Sequence, residues 1–210
     1  MSDQSFEEWV EEYPKRKELV EVLRENNGGP LSPEFKEYLV NNSDRHAQQF
    51  EATKNWLERI RGLCYRIQDE VAANAEYALF WIYLHGVVHE LYKKEDQTRE
   101  VATLIPWRKP FIEALDALRD CFDEDELSFI RFMRHNHVHI LVDYLWQKIQ
   151  TEDGEVVNIQ EAHDPDAVAN AKRILKDYNN DHHAAATDFA EKAVDEVEAV
   201  HDAFREATAL

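Results

Sequence analysis

The residues best suited to chemistry lie in one short segment, residues 131–139, which reads Arg-Phe-Met-Arg-His-Asn-His-Val-His. In a helix, His135 and His139 are four positions apart and share one face. Arg134 and His139 are about 140° apart around a helix, but the long arginine side chain can bend towards the same groove. One helix surface can therefore offer a guanidinium, two imidazoles and, nearby, the Asn136 amide.

This combination of groups suits the cleavage of RNA by its own 2′-hydroxyl. The reaction needs a base for the hydroxyl, an acid for the leaving 5′-oxygen and a cation for the charge on phosphorus. Histidine titrates near neutral pH and can serve as base or acid. Arginine binds phosphate through two donors and keeps its charge. The segment therefore favours a phosphodiester chemistry that requires no metal and no other cofactor.

The same segment resembles the signature of HEPN domains, the higher eukaryotes and prokaryotes nucleotide-binding family. That signature is an arginine, then Asn, Asp or His, then three further residues and a histidine. Here Arg134, His135 and His139 occupy its defined positions, and an aromatic-rich stretch follows at residues 140–146. The resemblance covers about residues 50–149.

The resemblance implies a metal-independent endoribonuclease, often a toxin or antiphage effector, whose site forms where two subunits meet. It makes Arg134 the phosphate binder, His139 the general acid and base, and His135 the polar residue beside the arginine. The implied partners are RNA, a second copy of the chain and, for a toxin, an antitoxin. Many HEPN domains have lost catalysis and act as binding or dimerisation modules, so an inactive relative is an alternative.

A second histidine pair, His85 and His89, is also four positions apart and lies beside Glu90 on a strongly apolar segment. Two helices that each present two histidines can hold a transition metal, and the ligands would then be His85, His89, His135 and His139. On the HEPN interpretation, the first pair and Glu90 line the cleft instead. A plainer interpretation makes them packing histidines, hydrogen-bonded to carbonyls or carboxylates.

The chain is strongly acidic, with a net charge of −19 from 43 acidic and 24 basic residues. A halophilic host, a basic protein partner and mimicry of a nucleic acid each account for such a charge. Nucleic-acid binding over a broad surface is disfavoured at ordinary salt, because it relies on cations. A different class of function is therefore an acidic helical interaction protein, such as an inhibitor. The motif helix would then have no chemistry.

The elements that must position these groups are helices. A hydrophobic content of 44% with only 5 glycines and 6 prolines predicts an all-α, antiparallel helical bundle. We expect an acidic helical segment over residues 1–30, split at Pro14, the HEPN-like bundle over 31–158, and a C-terminal helical extension over 159–210. Its last helix should span residues 182–208.

The motif itself is predicted to lie on a helix over residues 124–149. Asp123, with Glu126 three residues later, resembles a capping box and should begin this helix. The Asp153-Gly154 pair predicts a tight turn in a small hairpin over residues 147–158.

Cys64 and Cys121 are expected to be small core residues, because they lie in apolar stripes and form no close pair. The N-terminus has no basic segment followed by an apolar one, as a signal peptide would have. The longest apolar run, residues 77–88, is too short to span a bilayer. The sequence therefore predicts a cytoplasmic protein with no membrane partner.

Overall fold

A computed structural model describes most of the chain. The description is of the backbone alone for residues 14, 26, 43–47, 50, 136, 138–140, 148–150, 156–158 and 208. The described residues are 5–12, 14–26, 28–93, 108–140, 148–150, 156–158 and 165–208.

Helices build almost all of this part, and the predicted all-α bundle is confirmed. The helices are α1 Phe6–Glu12, α2 Pro14–Asn26, α3 Pro33–Asn41, α4 Ser43–Gln68, α5 Asn74–His85, a π-helical segment Gly86–Leu91, α6 Lys109–Asp120, α7 Glu124–Ile140, α8 Pro165–Asp177 and α9 His182–Thr208. No helix among the described residues is both long enough and apolar enough to cross a bilayer.

The predicted hairpin is also present. Its strands β1 Lys148–Gln150 and β2 Val156–Asn158 pair antiparallel, with Ile149 opposite Val157. The expectation that the motif helix continues to residue 149 is therefore wrong. A residue paired in a ladder has extended backbone and cannot also belong to a helix.

The first three helices form a small unit with its own apolar cluster. Pro14 begins α2, as predicted, and the Ser32 hydroxyl caps α3 by accepting a hydrogen bond from the Phe35 N–H at 3.2 Å. The cluster includes residues of α3 as well as of α1 and α2. Its buried members are Trp9, Val20, Leu31, Leu39 and Val40.

The last helix, α9, lies in the main core of the bundle. The Phe189 ring contacts Trp81, Phe122 and Phe129 at centroid distances of 5.2, 5.5 and 5.5 Å. The helical segment predicted over residues 159–210 therefore contributes its last helix to the main core. The physical reason is that α5 is apolar on nearly every side and needs cover from several helices. The apolar stripe of α9 is buried throughout: Phe189, Ala193, Val197, Val200 and Phe204.

The two cysteines are both free thiols. Cys64 is fully buried in the main core, as predicted, and burial raises its pKa to about 12. Cys121 is half-buried at the end of α6 and packs against the core. Neither thiol is an ionised nucleophile at neutral pH.

Candidate functional site

The helix that carries the motif, α7, begins where the capping box predicts. The Asp123 N–H donates to the Glu126 carboxylate at 3.0 Å, and the Glu126 N–H donates to Asp123 Oδ1 at 2.8 Å. This start fixes which face of α7 is buried. Arg134 follows the buried Met133 and is itself half-buried. The buried residues among the described side chains of α7 are Leu127, Phe129, Ile130 and Met133.

Charge is separated along α7. Its first turn carries Glu124, Asp125 and Glu126, whereas residues 127–140 contain two arginines, three histidines and no acidic residue. This order suits the helix dipole, which favours anions at the N-terminus and cations towards the C-terminus. It also creates a local cationic surface on a chain whose net charge is −19.

The π-helical segment Gly86–Leu91 faces the first half of α7 and holds His89 in place. Nε2 of His89 lies 3.0 Å from the Leu127 carbonyl oxygen. A carbonyl oxygen only accepts, so Nε2 carries the proton, and Nδ1 of the neutral ring is an acceptor. Burial lowers the pKa of His89 more than this hydrogen bond and the nearby Glu90 raise it.

His85 is the most enclosed histidine of this group, with 6% of its surface exposed. Its ring lies against the ring of His89, with centroids 4.7 Å apart. Burial is the largest cause that lowers the pKa of His85 to about 4. The positive charges of His89, Arg134, His135 and Arg131 lower it further. His85 and His89 are therefore in contact, and the charges of Arg134, His135 and Arg131 act on the pair from α7.

The structure describes the other predicted site residues in less detail. His135 and Glu90 are exposed. Asn136 and His139 lie on α7, but their side chains are outside the described part of the structure. The predicted shared groove of Arg134 and His139 therefore stays a prediction.

The described side chains do not support the alternative of a metal site formed by the histidine pairs. His85, His89 and His135 do not bring three ligand atoms together, and the side chain of His139 is not described. Among the described residues, one group has its ligand atoms within 4.8 Å of one another: Glu198, His201 and Asp202 on α9.

That acidic group already has a cationic partner. Glu198 forms an ion pair with Arg61 and accepts a hydrogen bond from the Tyr65 hydroxyl at 3.1 Å. The Arg61 guanidinium lowers the pKa of Glu198, and its charge would repel a metal cation. The group is better explained as a contact between α4 and α9.

His137 lies three positions after Arg134 on α7. Its Nε2 is buried and has no hydrogen-bond partner among the described residues. Burial, followed by the charges of His182 and His183, lowers the pKa of His137 to about 4. The ring of His183 stacks on Tyr77, with centroids 4.1 Å apart and 17° between the planes.

Comparison with known proteins gives no assignment. No family model matches the chain, and no curated protein or solved structure is significantly similar to it.

Proposed function

We propose that the surface between the π-helical segment and α7 binds a phosphodiester, and that the protein is a HEPN-like, metal-independent endoribonuclease. The observation that carries the proposal is the stretch of α7 over residues 127–140, which carries two arginines, three histidines and no acidic residue on the helix to which His89 is hydrogen-bonded. Guanidinium groups bind phosphate oxygens through two parallel hydrogen bonds, and they stay charged at every physiological pH.

Each group has a role in this mechanism. Arg134, with Arg131 beside it, binds the non-bridging oxygens of the scissile phosphate. A neutral histidine takes the proton of the 2′-hydroxyl, whose oxygen attacks phosphorus while the bond to the 5′-oxygen breaks. A protonated histidine gives its proton to that leaving oxygen. The products are a 2′,3′-cyclic phosphate and a 5′-hydroxyl, and His139 is the proposed acid and base.

The test is cleavage of a fluorescent single-stranded RNA in the presence of a chelator. We expect His139→Ala and Arg134→Ala to lower the rate by 100-fold or more, on the order of one general acid or base. His135→Asn should stay active, because the family signature accepts asparagine there. The matched control is Arg205→Ala, which removes an exposed arginine in the last turn of α9.

Two results would reject this mechanism: cleavage that persists in His139→Ala, or cleavage that requires a divalent metal. RNA binding that depends on Arg134 without any cleavage would identify the inactive type of relative. On this proposal the active form is a cytoplasmic homodimer, and a toxin would have an antitoxin partner. A solution mass of 24.7 kDa, that of one chain, would contradict the homodimer.

A second candidate function is an acidic interaction protein that captures a basic partner. It is favoured by the solvent face of α9, which carries several exposed acids. A halophilic host would account for the same acids without any partner. A pull-down at low salt should recover a basic protein that 0.5 M salt releases, and recovery of none argues against this function. The exposed acids include Glu191, Asp195, Asp202 and Glu206.

A further inference from the structure

The π-helical segment ends beside an arginine of α6. A hydrogen bond at its end runs from the Tyr92 N–H to the Val87 carbonyl, five positions back, and α-helical winding resumes at residue 92. Where winding returns from a five-residue to a four-residue span, the ladder passes over one carbonyl, which then needs another donor. The next carbonyl along the chain is that of Val88, and Arg119 Nη1 donates to it at 3.2 Å. Arg119 therefore binds the helix at the point where its winding changes.

Two further contacts hold the Arg119 side chain in this position. Its guanidinium lies over the ring of Tyr92, 4.7 Å from the ring centroid. Its Nη2 lies 3.7 Å from the carboxylate of Glu124, in the first turn of α7. The Arg119 side chain is only 25% exposed, and Val88 is buried. A charged donor that stacks on a ring and bonds a buried carbonyl makes a stronger hydrogen bond than a neutral donor would.

The winding at Val88 also sets the direction of the next side chain, His89. Nε2 of His89 donates to the Leu127 carbonyl oxygen at 3.0 Å, and its ring lies 4.7 Å from that of His85. A π-helix has more residues per turn than an α-helix, so a return of this segment to α winding would rotate His89 relative to His85. Arg119 and His89 therefore connect α6 to α7 through the π-helical segment.

We propose that Arg119 is a positioning residue, which fixes the π-helical winding through the Val88 carbonyl and so holds the His85–His89 pair against α7. Arg119 touches no reacting group in this role. Short π-helical turns within α-helices often lie at functional sites, where they place particular side chains. In the proposed cleavage, the pair supplies the neutral histidine that accepts the 2′-hydroxyl proton, and this consequence rests on the proposed function. The effect of Arg119 on the ring of His89 does not.

The test follows the ring of His89 by NMR in the full chain labelled with ¹⁵N. The hydrogen bond to Leu127 selects the tautomer with the proton on Nε2. We expect Arg119→Met to lose this preference and to speed hydrogen exchange of the Tyr92 amide on the order of tenfold, as for the loss of one charge-assisted hydrogen bond. Arg119→Lys keeps the charge and a donor, and it should stay close to the wild type in both measurements.

The matched control is Glu124→Gln, which removes the carboxylate beside Arg119 and leaves the bond to Val88. This variant should keep the tautomer and the exchange rate of the wild type. Should Arg119→Met fail to fold, Tyr92→Leu takes its place, because it removes the ring over which the guanidinium lies. We expect Tyr92→Leu to shift the His89 tautomer in the same direction.

The outcomes separate this inference from the proposed function. An unchanged His89 tautomer in Arg119→Met and Tyr92→Leu, or an equal change in Glu124→Gln, overturns the positioning role whether or not RNA is cleaved. In the cleavage assay, Arg119→Met should lower kcat on the order of 10-fold to 100-fold and leave KM unchanged, because the arginines of α7 remain. A raised KM with unchanged kcat overturns the positioning role. A wild type that cleaves no RNA overturns the proposed function alone, and the NMR test still decides the role of Arg119.

Discussion

His85, His89 and His137 share one property, which is that burial lowers the pKa of each imidazole. Their rings are therefore neutral near pH 7 and can accept a proton. The permanent positive charge of the surface comes instead from Arg131 and Arg134. This division of roles gives the candidate site both a proton acceptor and a fixed anion binder.

Bound phosphate should raise the pKa of His85 from about 4. The negative charge of the ligand offsets the two arginines and favours the protonated ring. The measurement is an NMR titration of the His85 imidazole with and without saturating phosphate. In Arg134→Ala the pKa of His85 should be higher before phosphate is added, and the response to phosphate smaller. An unchanged titration of His85 in saturating phosphate contradicts the proposed site.

The free energy of unfolding should fall as the pH is lowered from 6.5 to 5. The pKa values of His85 and His137 are about 4 in the folded chain and 6.5 in the unfolded chain. The unfolded chain therefore binds protons in this window that the folded chain does not. Each histidine contributes about 1–2 kcal/mol of lost stability by pH 5, and this stability is present above pH 6.5.

Urea unfolding at half-unit pH steps checks this expectation. Carboxylates protonate mainly below the window, so they contribute little to the slope. His137→Leu should flatten the pH dependence relative to wild type. A free energy of unfolding that is constant or rises towards pH 5 would show that these rings are not held neutral.

The sequence pattern identified part of this site. The positions of His85, His89, Arg134 and His135 follow from spacing on single helices. His85 and His89 lie ring against ring, and the charges of Arg134 and His135 act on His85. His137 was missed because its relevant neighbours come from α9, and local spacing carries no information about that packing. Arg131 was missed although its spacing of three from Arg134 signals a shared face.

At the scale of single elements, the π-helical segment sets the position of the histidine pair. Gly86 begins this segment and lies directly under the ring of Trp56, where a Cβ atom would overlap the ring. The ring of Trp56 in turn contacts Tyr83 edge-on, at 6.0 Å between centroids. Glycine therefore allows α4 to approach the helix at the point where its winding changes.

Gly86→Ala should displace Trp56 rather than unfold the protein. Trp56 is 39% exposed, so its ring can swing towards solvent. The lost contact with Tyr83 costs about 1 kcal/mol, and the helix propensity of alanine offsets a similar amount. We expect a red shift in tryptophan fluorescence with a small change in stability.

Two further variants make this test specific. The fluorescence shift should be absent when Gly86→Ala is introduced together with Trp56→Phe, which removes the reporting ring. Gly86→Leu should destabilise by about 1–3 kcal/mol, because a larger side chain cannot be relieved by moving one ring. A stable Gly86→Leu variant would mean that the close approach is unimportant.

The start of a helix can be predicted from the sequence more readily than a change from α-helical to π-helical winding within it. Ser32, Asp123 and Asp181 each accept a backbone hydrogen bond at the start of a helix, and such capping depends on residues within three positions. The π-helical segment leaves no such signal. It lies in a stretch that is apolar on nearly all sides, so a shift in winding does not change the pattern.

At the scale of the whole molecule, the net charge of −19 acts against compactness. Raising NaCl from 0.1 to 1 M shortens the Debye length from ~10 to ~3 Å and screens this repulsion. We therefore expect the free energy of unfolding to increase with salt. Urea unfolding at several salt concentrations measures the effect.

A variant with four acids neutralised provides the comparison, since its net charge is −19 + 4 = −15. It should respond less to salt than the wild type. Equal responses would show that the salt effect does not arise from the net charge. The chosen acids are exposed: Glu51→Gln, Glu58→Gln, Glu191→Gln and Asp195→Asn.

The central place of α9 has a consequence for synthesis. The ribosome adds residues 141–208, which are 68 residues, after it has made α4 to α7, and this takes roughly 3–14 s. During that interval the surfaces that Phe189 and Phe204 later cover are bare on the nascent chain. These seconds are when newly made chains are most prone to associate with one another or to be captured by a chaperone. Rare codons placed between α7 and α9 would lengthen that exposure and lower the yield of folded protein.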